Sequence, residues 1–326
     1  MAGYDLKEGQ FEKRSASDDE LWSAISNVFS AKIKTNSSYK YGMFKAILDN
    51  LYNVDEQLIL SFDKVFSKFA EIYWNLILKH HLKQQIQAEG KGGTYLEQII
   101  WSAVKKYELP LDIPYESLPP EIMIDINHQV KMKCKMYVVG ALFEDTRKLF
   151  YSFSKKGEWI QINPVMYEFL CKHKVIVEKL NYYQWAKFLE KVNAGDSTNL
   201  LLSKIDESAK RNNLTYYRQI LFEEFENKCF YCGVNVNSKV DVDHFIPWSF
   251  VKDDCLWNLV LSCPACNRSK SDKLAAPRYL DILIDRNKKI HIERIDSSTN
   301  YEDSKLREIY YWAKVNGYDE EWRPRK

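Results

Sequence analysis

The sequence is short of glycine, of net charge and of any long apolar run. Only 11 glycines stand among 326 residues. Glycine serves tight and irregular backbone, while long side chains suit helices, so a mainly α protein is expected. The most apolar stretch, residues 72–78, ends in Lys79, His80 and His81. A bilayer span needs about 20 apolar residues, so no membrane partner is expected. Residues 1–13 are polar and charged without an apolar signal segment, and a cytoplasmic protein is expected. The formal charge is only +2, from 47 Lys and Arg against 45 Asp and Glu, so the whole-chain field announces no nucleic-acid partner. A local basic groove on a near-neutral protein would still serve one. A complete disulfide framework is also lacking, because seven cysteines is an odd number. Cys134, Cys171 and Cys255 stand singly among apolar residues, as buried free thiols do, and a reducing compartment fits that usage.

What is present belongs to a folded chain: 45% hydrophobic, 28% charged and 14% aromatic residues. Residues 1–16 are a polar lead. Ser17 and Glu20 have the spacing of a capping box, and Leu21, Ile25, Val28 and Phe29 follow at helical intervals. A second helix is expected over 39–52. The longest is expected from about Asp55, with Leu58, Phe62, Val65, Phe66, Phe69, Ile72, Tyr73 and Leu76 on its buried stripe. Residues 88–94 are glycine-rich but lack the Gly-Lys-Ser/Thr ending of a phosphate loop, and read as a linker. A helix over 95–107 stops at Pro110, and Pro114, Pro119 and Pro120 mark a boundary. Beyond it, 149–153 and 159–162 read as short strands joined by a turn at Lys156-Gly157. Asn163-Pro164 opens a helix, 180–192 is another, and 193–198 is a polar linker. The expected organisation is a helical region over 1–115, a mixed, mostly helical region over 122–194, a small α+β module over 215–295, and a C-terminal helix with a basic tail over 296–326.

Chemistry concentrates in 222–275. Two Cys-x-x-Cys pairs, Cys229/Cys232 and Cys263/Cys266, can offer four thiolates at tetrahedral angles, the ligand set of a closed structural Zn2+ site. Gly233 eases the first knuckle. Two redox-active pairs, or an iron–sulfur site, would use the same residues. Neither fits a missing strand-to-helix redox context or the residues lying between the pairs. Those residues are Asp243, His244, Asn258 and Asn267. The stretch 239–244 alternates like a strand, 257–261 is its expected antiparallel partner, and Pro264 suits the start of a helix. Further on, 279–284 and 290–295 flank a turn at Asp285-Arg286-Asn287, the second run alternating like a strand and carrying His291 as a surface residue.

The pattern Asp243-His244-x-Ile246-Pro247, Asn258-Leu259, Cys263-x-x-Cys266-Asn267-x-x-Lys270 resembles the HNH (ββα-metal) endonuclease superfamily, in its zinc-stapled branch that includes some modified-DNA restriction enzymes. The run over 243–271, with Ser249-Phe250 and Lys252-Asp253-Asp254, is also similar to the HNH domain of RNA-guided DNA-cleaving effectors. The resemblance implies a ββα fold and phosphodiester hydrolysis with a catalytic Mg2+ or Mn2+. It implies His244 as general base, Asp243 and Asn267 as ligands of that ion, and Asn258 as a brace that orients His244. The family often carries histidine where Asn267 stands. Arg268, Lys270 and Lys273 would meet substrate phosphates, against the plainer reading of a solvated basic face, which also covers Arg278, Lys288 and Lys289. Trp248 reads as packing. DNA is the implied substrate, with RNA left open, and a regulatory protein partner or self-association is expected of an enzyme that must be restrained. The first 200 residues resemble the upstream part of prokaryotic defence-associated HNH proteins, which implies antiviral defence. A non-catalytic zinc-dependent nucleic-acid-binding or scaffold module is the alternative. It needs the cysteines but not a convergence of Asp243, His244 and Asn267.

Overall fold

The structure, a computed structural model, describes residues 3–30, 33, 35–86, 93–193, 198–209, 214–225, 227–236, 240–295 and 301–324. Most of the glycine-rich segment at 88–94 and of the polar linker at 193–198 lies outside them. The chain forms two compact units, Met1–Lys210 and Arg211–Lys326.

The first unit runs β1 (Glu8–Gly9), α1 (Asp18–Val28), α2 (Tyr39–Asp49), β2 (Ile59–Ser61), α3 (Phe62–Trp74), α4 (Tyr95–Lys106), α5 (Pro120–Asp145), β3 (Tyr151–Ser154), β4 (Trp159–Ile162), α6 (Pro164–Val192) and α7 (Leu201–Asp206). Local chemistry sets the helix starts. Ser17 with Glu20 and Thr94 with Glu97 close reciprocal capping boxes, and Pro120 and Pro164 open α5 and α6, where no N–H partner is needed. Helix α2 is buried along nearly its whole length, and α3, α5 and α6 pack around it. A Cβ on Gly42 would overlap the Tyr73 ring, so glycine lets α2 and α3 approach closely. The sheet has the order β1-β3-β4-β2, every pair antiparallel.

Several expectations change here. The helix expected from Asp55 begins only at Phe62: Leu58 takes a left-handed φ of 60°, Ile59–Ser61 joins the sheet, and Ser61 then caps α3 through Lys64 N. Nor is it the longest, since α5 has 26 residues and α6 has 29. The helices expected at Pro164 and over 180–192 are one, kinked at His173. Residues 1–115 and 122–194 do not part into separate cores, because β2 of the first pairs with β4 of the second. Among the described residues no helix is long and apolar enough to cross a membrane.

The second unit runs α8 (Thr215–Glu224), β5 (Asp241–His244), α9 (Trp248–Val251), β6 (Leu259–Ser262), α10 (Pro264–Lys270), β7 (Leu274–Ala275), α11 (Pro277–Lys289), α12 (Ile292–Ile295), α13 (Asp303–Val315) and β8 (Glu321–Trp322). The strand-like run expected over 290–295 is corrected to one that holds helix α12, and the turn expected at Asp285-Arg286-Asn287 lies inside helix α11. Pro277 starts α11, and Tyr279, Leu280, Leu283, Ile284 and Asn287 are buried along it at helical spacing. The C-terminal stretch is built into this unit, since β8 pairs in parallel with β7. The whole chain is thus mainly helical, with a small mixed α+β region around the paired cysteines.

Candidate active site and metal centre

Strand β5 pairs antiparallel with β6 in the register Asp243↔Val260 and His244↔Leu259. Strand β6 is wholly buried, so it forms a rigid floor. The first cysteine knuckle docks onto it through Phe230 N donating to Leu261 O at 2.9 Å. Gly233 sits at φ 73°, a conformation that favours glycine, and its N–H closes the turn on Cys229 O at 2.9 Å. The second knuckle is the start of α10, with Cys263 as the cap residue and Pro264 in the first turn. The four sulfurs lie within 4.8 Å of one another, and Cys232 and Cys263 are 3.9 Å apart. Tetrahedral thiolate bonds of about 2.3 Å put sulfurs roughly 3.8 Å apart, so the donor set fits Zn2+.

Beyond the zinc knuckles the site is built from three short segments. Asp241 and Asp243 share one face of β5 by its two-residue period. Asn267 Nδ2 donates to Asp241 Oδ2 at 3.0 Å, which leaves the amide oxygen as the free acceptor of that side chain. Asp243 Oδ2 accepts from Tyr231 Oη at 2.5 Å and pairs with Lys270 Nζ at 3.0 Å. Burial, together with the Asp243 charge, holds the Tyr231 phenol well above its ordinary range, so it stays a proton donor.

His244 ends β5 and is only 4% exposed. Its Nε2 lies 2.7 Å from Asp254 Oδ1. An ionised carboxylate only accepts, so Nε2 carries the hydrogen and Nδ1 is left as the basic nitrogen. The chain then turns sharply. Asn258, fully buried, grips the turn from both sides: Ile246 N donates to its Oδ1 at 2.8 Å, and its Nδ2 donates to Ile246 O at 2.9 Å. Phe245 N also donates to Asn258 O at 2.8 Å. An amide that pairs with a backbone peptide in this way closes the loop immediately after the imidazole.

Asp243, His244 and Asn267 line one small cavity of about 100 Å³, together with Pro247, Trp248, Ser271 and Asp272. One carboxylate and one amide oxygen facing a polar recess fit a hard divalent ion that keeps most of its waters. Trp248 is half-buried at the wall, with Lys252 Nζ 5.0 Å from its ring centre.

The basic residues divide. Arg268 is exposed on α10. Lys273 pairs with Glu320 at 2.5 Å and Lys288 with Asp303 at 2.8 Å. Lys270 is no surface phosphate ligand as it stands: it is fully buried, and its ammonium also donates to His244 O at 2.7 Å. Its place on α10 explains this, since Cys266 and Lys270 are one helical turn apart and both face inward. Arg286, expected in a turn, donates to Leu259 O at 2.7 Å and fastens α11 to the floor strand.

Sequence reasoning missed Asp254, Tyr231 and Asp241. Asp254 lies in a loop 10 residues from its partner, with no periodicity to connect them. Asp241 alternates with Asp243, a cue that was available. The family model for HNH endonuclease matches residues 229–276. No solved structure matches the chain. The residues that bear the cysteine knuckles, the β5–β6 pair and α10 all fall within the matched segment, and 229–276 is an HNH-superfamily domain carrying a four-cysteine cluster consistent with a structural zinc site.

Proposed function

We propose that the protein is a metal-dependent endonuclease that hydrolyses phosphodiester bonds in DNA. The observation that carries this is the shared cavity wall of Asp243, His244 and Asn267, with His244 already held by a carboxylate. His244 Nδ1 takes a proton from a water beside the scissile phosphorus, and the resulting hydroxide attacks in line. Asp254 holds the ring and steadies the imidazolium once the proton has arrived. Asn258 keeps the turn after His244 from sagging, and Lys270, bonded to His244 O, ties the same backbone to α10. Asp243 and Asn267 are the residues that would hold Mg2+ or Mn2+. The chemistry such an ion supplies when bound is neutralisation of charge on the phosphoryl and leaving oxygens.

Supercoiled plasmid, titrated with Mg2+ or Mn2+, provides the test. His244→Ala is expected to lower nicking by roughly 10²- to 10⁴-fold while zinc content and the far-UV spectrum stay as in the parent protein. Undiminished nicking by that variant would remove the assignment. An RNA arm in the same panel decides the substrate, since nothing in the mechanism needs a 2′-hydroxyl.

One observation favours the non-catalytic alternative. Tyr231 and Lys270 both serve Asp243 Oδ2, so only Oδ1 is left to meet an ion. If that engagement is permanent, divalent ions will produce no nicking with any substrate in the panel.

A further inference from the structure

Two cavities flank α4 in the first unit, one of about 620 Å³ and one of about 550 Å³, and both reach Gln98 and Ser102. With Gln98 and Ser102 common to both linings, they adjoin along that helix and together form a grooved surface. Two aromatic residues on it are exposed, Trp101 at 44% and Tyr95 at 48%, the Tyr95 ring stacking on Tyr137 with centroids 5.8 Å apart. Among the described residues Trp101 has no aromatic or cationic ring partner, so the indole face is open. Lys83 and Lys105 line the first cavity and Lys133 the second. None of the three has an ion-pair partner among the described residues. Lys133 Nζ rests 4.0 Å from the Tyr95 ring centre, on a stem long enough to swing outward. Glu97, the acid on the first cavity's lining, is buried and turns its carboxylate to the backbone, accepting from Thr94 N in the capping box and from Gln84 N, and the three lysines outnumber it around the two cavities.

We propose that this groove seats single-stranded nucleic acid, with bases stacked on Trp101 and beside Tyr95 and the phosphates met by Lys83, Lys105 and Lys133. Charge complementarity favours this occupant over a protein, because lysine is depleted at protein interfaces while aromatics interleaved with cations are what an unpaired strand requires. A duplex keeps its bases stacked on one another and has no use for an open indole. From Tyr95 to Lys105 the helix rises about 15 Å, long enough for several bases at about 3.4 Å each. Binding here needs no cleavage chemistry, so it stands or falls apart from the nuclease reading.

Fluorescence anisotropy of labelled oligothymidylate and oligouridylate with the full chain, in buffer without divalent ions, tests it. Lys105→Glu combined with Lys133→Glu is expected to weaken binding at least tenfold and to flatten the dependence on salt. Trp101→Ala is expected to cost about tenfold, and Trp101→Tyr to recover most of it. Trp101 and Lys105 are exposed, so melting curves of Trp101→Ala and Lys105→Glu should match that of the parent protein, while the effect of Lys133→Glu, half-buried against Tyr95, is read with its own melting curve beside it. Unchanged affinity and salt slope in a variant combining Trp101→Ala, Lys105→Glu and Lys133→Glu, or a preference for duplex of equal length, would overturn the assignment.

Discussion

At the scale of single residues, the His244–Asp254 contact carries the most chemistry. Both groups are buried, at 4% exposure each, and the 2.7 Å separation is that of a charge-assisted bond. The carboxylate fixes which nitrogen is basic. Asparagine in its place can present an N–H to Nε2, which would move the ring hydrogen to Nδ1 and blunt the base. Asp254→Asn is therefore expected to lower kcat by about 10- to 100-fold, the usual cost of losing such an orienting partner. KM for DNA and zinc content should not move, because Asp254 touches neither phosphate nor sulfur. Recovery of part of the rate in Asp254→Glu would separate orientation from mere folding. Steady-state nicking kinetics of the three proteins would show it. A change confined to KM would count against a positioning role.

At the scale of elements, a carboxylate clamp holds the β3–β4 turn to the helices. Glu158 pairs with Lys131 at 2.7 Å and Lys135 at 2.5 Å, both on α5, while Lys131 reaches Asp63 in the first turn of α3 at 2.7 Å. Phe62 N donates to Glu158 O at 2.8 Å, so the same turn residue also meets the start of α3. Hydrogen bonds from Lys131, then Lys135, hold the Glu158 carboxyl below its ordinary 4.5. A depressed folded value means that its stabilisation is complete above about 4.5 and fades as pH falls through the lower folded value. Lys131 is raised by Asp63 and Glu158, so its share is complete below its ordinary 10.5 and is lost only at higher pH. Glu158→Gln should cost about 1 kcal/mol at neutral pH in urea unfolding, and the gap from the parent should close as the pH falls through the lowered folded value of Glu158. A gap that persists in acid would point to lost packing instead. Such clamps explain what the sequence could and could not foretell. Capping boxes at Ser17 and Thr94, prolines at 120, 164 and 264, and the strand at 159–162 are local signals, and they are legible. The division at 115–122 was not, because β2 and β4 meet across roughly a hundred residues and neither strand announces its partner. Residues 290–295 misled because a short apolar run serves strand and helix equally. At the site, cysteine spacing and the Asp243-His244 pair were legible in one dimension. Asp254 and the inward turn of Lys270 emerge only when loop and helix fold back on β5.

At the scale of the whole molecule, stability is divided between two units that hold themselves together by different means. Residues 1–210 bury a large aromatic and aliphatic core around α2, including Phe44, Phe66, Phe69, Tyr73, Trp74 and Trp185 at 1% exposure or less. Residues 211–326 have a smaller core. Their knuckles are secured by the four thiols, and the first pair reaches the floor strand through a backbone bond from Phe230. A structural zinc site contributes its binding free energy directly to folding, because the unfolded chain offers no preformed cage. Cys266→Ser leaves three thiolates and an ill-matched hydroxyl. In that variant, or after chelation, the loss should fall on 211–326. Limited trypsin digestion read by mass spectrometry should show new cleavages there, beginning near the knuckles, while 1–210 persists with the sites cut in the metal-loaded protein. Calorimetry should show one transition that moves down with zinc withdrawal and one that does not. The groove across α4 and the HNH cavity would then be separable by metal. Zinc-stripped protein would keep oligothymidylate binding and lose nicking, and simultaneous loss of both would mean that the zinc site supports the entire chain.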